Sequence, residues 1–263
     1  MTMHHTRSGR GKPLLLIHGL GGSHRSWDTV FTALAKERDV IALDLPGHGQ
    51  SPAEADSGTF DGLARSVEAW LVAENLEGVD MVGSSMGARL VLEIARRGRA
   101  GAVVALDPGG FWQGWERPFF QTTITASITV VRAIKPALPA ITNTVAGRTA
   151  LMLQLSAKPW ALDPSLVLNE LRSFAGTSTF NSLVKDLASG PMQEDPAAAD
   201  APVVIGWGRK DRLCLPEQAS RAMAAFPQAE MHWFAQSGHF SMWDQPMETI
   251  QVILDATGRT ALA

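Results

Sequence analysis

Apolar residues follow two patterns along this chain, and the two patterns alternate. Residues 14–17 are continuously apolar between Pro13 and a glycine-rich stretch at 19–22. Such a run, with no polar alternation, predicts a strand buried on both faces, as in a parallel sheet covered by helices. From Ser26 to Lys36 the apolar positions Trp27, Val30, Phe31 and Leu34 recur every three or four residues, which predicts a helix. A second strand follows at 40–43 and ends at Asp44, where Pro46-Gly47-His48-Gly49 enforces a turn. The next helix is predicted from a Thr59 cap to about Glu74, with Leu63, Val67, Trp70 and Leu71 as its apolar stripe. A third strand at 79–82 runs through Gly83–Gly87 into a helix carrying Leu90, Val91 and Ile94, stopped by Gly98 before a fourth strand at 102–106.

After Asp107 the alternation lapses until 203–205. Roughly ninety residues between neighbouring strands exceed any ordinary loop and predict an inserted subdomain. Its apolar spacing and dispersed prolines predict several short helices, and we expect Trp112, Trp115, Phe120 and Trp160 to contribute an aromatic lining. Alternation resumes with a helix near 216–226, a strand at 231–234 and a final helix from Pro246, while 196–201 reads as a small-residue connector. The expected class is therefore α/β: a mostly parallel sheet flanked by helices, formed by residues 1–110 and 191–263 and interrupted by a helical lid at 111–190.

Composition narrows the partners. The 263 residues, 45% hydrophobic and 19% charged, suffice to bury a core without metal or disulfide support. With 23 basic against 26 acidic residues and no basic stripe, nucleic acid is excluded as the main ligand. The single cysteine, Cys214, cannot form an internal disulfide and reads as a small buried apolar residue. The first twelve residues lack the apolar stretch of a secretory signal, and 118–131 is too short and too rich in threonine to span a membrane. A cytoplasmic protein acting on a small molecule, with no membrane partner, is the expectation. The chain carries no H-E-x-x-H, no paired cysteines and no P-loop lysine, so neither metal nor cofactor is expected; His4 and His5 lie in a terminus expected to be mobile.

The sharpest chemical signal is Gly83-Ser84-Ser85-Met86-Gly87, a G-x-S-x-G placed between a strand and a helix. Only Ser85 fits the register. Asp211 follows a strand in Gly208-Arg209-Lys210-Asp211, and His239 follows the last strand in Ser237-Gly238-His239-Phe240. A neutral serine is a poor nucleophile; a histidine can take its proton, and an aspartate can orient the ring and stabilise the imidazolium. The developing oxyanion needs donors, for which the backbone N–H groups of Met86 and Leu20 are the candidates. Trp112, Trp115, Phe120, Trp160 and Phe240 are the expected substrate contacts.

These motifs, with the His18-Gly19 loop and Asp44-Leu45-Pro46-Gly47-His48-Gly49-Gln50-Ser51, give the chain its family resemblance. Over about 13–110 and 201–257 it resembles α/β-hydrolase-fold serine hydrolases of the esterase, lactonase and cofactor-free perhydrolase kind. The resemblance implies a Ser85–His239–Asp211 triad and an acyl-serine intermediate. Some members place the acid where Asp107 stands, but Pro108 and Gly109 make Asp107 equally readable as a turn former. Asp44 and His48 read as a structural turn, His24 as a surface helix start, and His232 as a packed strand residue. Serine at the elbow and the absence of tyrosine set aside the dehalogenase and epoxide hydrolase members.

One departure points to a different chemistry. His239 has no proline two residues on and a tryptophan, Trp243, four residues on, which is similar to C–C bond hydrolases of vinylogous diketones. Those relatives usually carry asparagine where Ser84 stands, and Trp243 also reads as packing for the terminal helix. Seven basic and four acidic residues leave the lid weakly basic, which suits an uncharged or mildly anionic acyl group. The expected activity is hydrolysis of small to medium apolar carboxylic esters. A C–C bond hydrolase and a slow-turnover ligand receptor of the same fold are the alternatives.

Overall fold

The computed structural model describes residues 3–193 and 201–258. The connector expected at 196–201 lies outside the described residues except for Ala201. Seven strands form one sheet: β1 (His5–Ser8), β2 (Pro13–Ile17), β3 (Asp39–Leu43), β4 (Asp80–Ser84), β5 (Val103–Leu106), β6 (Val203–Gly208) and β7 (Glu230–Phe234). Their order is β1-β3-β2-β4-β5-β6-β7, parallel throughout except that β1 pairs antiparallel with β3. β1 has no counterpart in the hydrophobic pattern because it is a polar edge strand with three exposed residues. Its Arg7 engages both carboxylate oxygens of Asp39, a charged side chain of the kind that blunts sheet edges.

Strands β2 to β6 are largely buried on both faces because helices cover both, while β7, the other edge, is half-buried. Chain order supplies α1 (Asp28–Leu34), α2 (Phe60–Ala73) and α3 (Met86–Arg96). Between β5 and β6 come α4 (Glu116–Ala133), α5 (Leu138–Thr142), α6 (Val145–Met152), α7 (Pro164–Gly176) and α8 (Phe180–Ser189), and after β6 come α9 (Gln218–Ala225), α10 (Ser241–Asp244) and α11 (Pro246–Thr257). Leu15 and Ile17 of β2 point into a core shared with α2, α3 and α9, whereas Leu14 and Leu16 point into another shared with α1 and α11. Thr59 caps α2 as its position predicts, its side chain accepting from Gly62 N at 3.1 Å. Among the described residues no single helix is long and apolar enough to cross a membrane.

Strand order also decides where a ligand can bind. From β2 the chain moves to β3 on one side, then returns to place β4 on the other side of β2. The loops leaving β2 and β4 therefore diverge above adjacent strand ends, where the register pairs Ile17 with Gly83. Such a switch point opens a crevice at the carboxyl end of a parallel sheet.

Arg38 locks the opposite part of the sheet and leaves no trace in the sequence pattern. It is fully buried, and every guanidinium nitrogen is engaged: Nε with Lys12 O, Nη1 with Thr257 and Gly258 O, and Nη2 with Pro13 O and Asp80 Oδ2 at 2.7 Å. One side chain thus ties β2 and β4 to the end of α11. Replacing Arg38 by Met leaves the buried Asp80 the exposed Lys12 ammonium as its one cationic partner among the described residues, beside the Ala102 N–H, so a loss of about 3 kcal/mol or more is expected in urea unfolding. Arg7→Ala, which removes an exposed pair, is expected to change stability by less than about 1 kcal/mol.

Candidate active site

Ser84 ends β4 and Met86 opens α3, so Ser85 alone makes the turn, with φ 57° and ψ −116°. This left-handed geometry costs a residue with a β-carbon on the order of 1–3 kcal/mol and persists only where its surroundings enforce it. A Cβ on Gly83 would lie 2.2 Å from Gly87 O, and one on Gly87 would lie 2.2 Å from Ile17 O. Strand, helix and β2 thus meet backbone to backbone, and Ser85 N donates to Leu106 O at 2.9 Å.

Asp211 follows β6 and His239 follows β7, two neighbouring parallel strands. Asp211 Oδ2 lies 2.8 Å from His239 Nδ1, while its Oδ1 accepts the backbone N–H groups of Leu213 and Cys214 at 2.8 and 3.1 Å. With Nδ1–H assigned as donor to Asp211, Nε2 holds the ring's lone pair. That nitrogen is buried and has no hydrogen-bond partner among the described residues. His239 and Ser85 line the same cavity, of about 70 Å³, together with Leu20, Phe120, Phe240 and Glu170.

The loop after β2 is held by His18. Leu45 N donates to His18 Nε2 at 3.1 Å, which leaves Nδ1–H to donate to Gly19 O at 2.7 Å. Burial lowers the His18 pKa, consistent with the neutral ring that this arrangement needs. Gly19 in turn comes so close to the turn that a Cβ there would lie 3.1 Å from Ser85 Cβ. Leu20 borders the cavity from this loop, and Met86, as the first residue of α3, has an N–H with no intrahelical acceptor.

Residues 14–252 match the model of the alpha/beta hydrolase family. The chain belongs to that family. It is 28% identical, over 93% of its length, to the dihydrolipoyllysine-residue acetyltransferase component of an acetoin cleaving system from Pseudomonas putida, of which it spans 63%. It is 27% identical, over 96% of its length and 89% of the relative's, to a 2-hydroxy-6-oxononadienedioate/2-hydroxy-6-oxononatrienedioate hydrolase from Paraburkholderia xenovorans. In fold it is similar to a thermophilic esterase from Thermogutta terrifontis, with a TM-score of 0.76 at 20% identity, covering 96% of this chain and 92% of that one.

Other predicted residues of this family member divide by position. Phe120 and Phe240 border the cavity of Ser85 and His239, and Trp112 stacks on Phe120 with ring centroids 4.6 Å apart. Trp115 and Trp160 do not reach it; they are 64% and 53% exposed. Trp115 immediately precedes α4, and five residues of helix rotate by about 140°, so its side chain and that of Phe120 leave in different directions. Trp243 packs as the simpler reading has it, buried, with Nε1 donating to Ser26 O at 2.9 Å. Asp107 follows β5 at φ 48°, fully buried, its Oδ1 accepting from Gly208 N at 2.7 Å. Burial and then the charge of Asp211 push its pKa well up, so Asp107 favours the protonated form.

Asp44 is a hydrogen-bond hub, accepting from the backbone N–H groups of His24 and Gln50 at 2.6 and 2.9 Å. His24 is half-buried against it rather than free on the surface, and His4 is not loose: its Nδ1 lies 2.8 Å from Asp44 Oδ2. The sequence pattern hides this tie because His4 is brought in by the edge pairing of β1.

Two ionisable side chains at the site stand outside the sequence motifs. Arg89 follows Ser85 by four residues in an otherwise apolar stretch of α3. Glu170 shares a face of α7 with buried Leu166 and Leu171. A lone charge on an apolar stripe is the signal that finds both. Glu170 Oε2 accepts from Ser26 Oγ at 2.8 Å, and burial pushes the carboxyl up to about 7 from an ordinary 4.5. Between those values the unfolded chain is ionised while the folded one keeps the proton, so this group makes stability fall as pH rises from about 4.5 to about 7. Glu170→Gln is expected to remove that slope, giving a variant more stable than wild type above pH 7 and closest to it below pH 4.5, as read by Tm against pH.

Proposed function

We propose that this hydrolase cleaves small to medium carboxylic esters through an acyl-Ser85 intermediate, with residues 111–190 as a lid over the core. One observation carries this reading: the unpartnered, buried Nε2 of His239 borders the same cavity as the strained Ser85, while Nδ1 is held by Asp211. His239 Nε2 takes the hydroxyl proton as Ser85 Oγ bonds to the ester carbonyl carbon. The oxyanion faces the N–H groups of Leu20 and Met86. The C–O bond to the alcohol then breaks, and the leaving oxygen receives the proton from His239. Water follows the same route: His239 takes one proton, the water oxygen bonds to the acyl carbon, and Ser85 Oγ leaves with that proton. Asp211 accepts the Nδ1–H throughout and stabilises the imidazolium. The apolar side chains of Phe120, Ile124 and Phe240 around the cavity support an apolar ester group.

Burst kinetics with short p-nitrophenyl esters test the assignment. Wild type is expected to release about one equivalent of nitrophenol before steady turnover. Ser85→Ala and His239→Ala are expected to lose turnover by about 10³-fold or more. Asp211→Asn is expected to lose about 10²- to 10⁴-fold, and Asp107→Asn to stay close to wild type; the reverse order would move the triad acid to Asp107. C–C bond hydrolysis is the second reading, favoured by the 27% identity to the oxononadienedioate hydrolase. A higher kcat/KM on a vinylogous diketone than on any ester of the panel would select it.

A further inference from the structure

A second, smaller cavity of about 20 Å³ opens beside Ser85, bordered by Leu20, Met86, Arg89, Trp112 and Phe120. Its polar side chains bring unused donors. Arg89 is 3% exposed, yet among the described residues its Nε and Nη1 have no hydrogen-bond partner; Trp112 Nε1, in a residue 5% exposed, has none there either. Among the described residues only Nη2 of Arg89 is engaged, with Pro191 O, and the Phe60 ring lies 4.3 Å from Cζ. The carboxylates that act on Arg89 are committed elsewhere: Asp186 accepts from Phe60 N at 2.8 Å, and Glu93 pairs with Arg97 at 2.9 Å. Burial lowers the Arg89 pKa to about 10, which still leaves a cation at neutral pH. The fold makes space for it, since Gly110 has φ 101° and a Cβ there would lie 2.9 Å from Arg89 Cδ and Nε. Arg38, also buried, is by contrast bonded at every nitrogen.

A desolvated guanidinium with two idle N–H edges is costly unless something completes it. A carboxylate is the natural complement, because the second N–H of Nη2 and one of the two unpartnered nitrogens present parallel donors to its two oxygens, and the indole N–H can add a third bond. The cavity holds little more than one or two water-sized groups, which suits a carboxylate and excludes a ring. Position selects the half of the substrate. His239 must face the leaving oxygen and borders only the larger of the two cavities, so the larger one takes the alcohol and the smaller one the acyl group.

We infer that Arg89 and Trp112 form a carboxylate subsite for the acyl half, so that the favoured esters are monoesters of short dicarboxylic acids with an apolar alcohol. This rests on the acyl-Ser85 reading, and the experiment separates the two. Monohexyl succinate is compared with hexyl 4-methylpentanoate, its uncharged isostere, in wild type and variants. Wild type is expected to favour the succinate, and Arg89→Met to lower the ratio of the two kcat/KM values by roughly 10- to 100-fold. Trp112→Phe, which keeps the ring and removes the N–H, is expected to lower the ratio several-fold, and Arg89→Lys to restore part of what Met loses. An unchanged ratio in folded Arg89→Met overturns the subsite; should that variant not fold, an unchanged ratio in Trp112→Phe does so. Calorimetry of monohexyl succinate on Ser85→Ala reads the subsite without turnover. If wild type cleaves neither ester, the acyl-serine reading fails, yet binding that weakens at least tenfold on adding Trp112→Phe or Arg89→Lys still supports the subsite. Absent binding, or binding indifferent to both changes, overturns it.

Discussion

Backbone contact between β2, β4 and α3 is the constraint on which the rest of this alpha/beta hydrolase family member depends. Ser85 can turn from strand to helix in a left-handed conformation only because Gly83 and Gly87 leave no side chain between the turn and Ile17. A β-carbon at either glycine would wedge the elements apart and carry the Leu20 loop away from Ser85. The strain is borne by a sheet covered on both faces and by the Ser85 N bond to Leu106 O. Strand order puts the two loops together, and the glycines let them close.

Placement of charge follows the same economy of space. Asp244 joins the insertion to the histidine loop, its Oδ2 accepting from Ala157 N and Gly238 N at 2.7 Å, while His239 N donates to Leu155 O at 2.9 Å. The His239 loop is thus positioned partly by the segment that follows α6. Asp107 and Asp211 lie close enough that like charges oppose one another, and burial together with that opposition favours the proton on Asp107. The other carboxylate is left for the histidine. Glu170 and Arg89 then place one ionisable group at each end of the paired cavities.

Much of this was legible in order along the chain, and the gaps have physical causes. Leu14–Ile17, Val40–Leu43 and Ala102–Leu106 read as strands because burial on both faces leaves no polar alternation. β1 does not, since an exposed edge needs no apolar residue. Ser85, Asp211 and His239 could be singled out because each follows a strand, and strand ends of a parallel sheet converge on one side. Trp115 and Trp160 show the limit of the same logic: aromatic character marks a residue worth burying but does not say which way a helix turns it. Arg38, Arg89 and Glu170 are ordinary charged letters whose surroundings come from segments far away in sequence.

The sequence by itself determined the alternating α/β architecture, the place of the long insertion and the three residues that could act as nucleophile, base and acid. These are local properties: periodicity, glycine spacing and the residue that follows each strand. Only the tertiary structure decided which side chains border the cleft, which buried charges are satisfied, and that Asp211 rather than Asp107 holds His239. Those depend on distances between elements and on desolvation, which arise only when the sheet, its covering helices and the insertion are packed together.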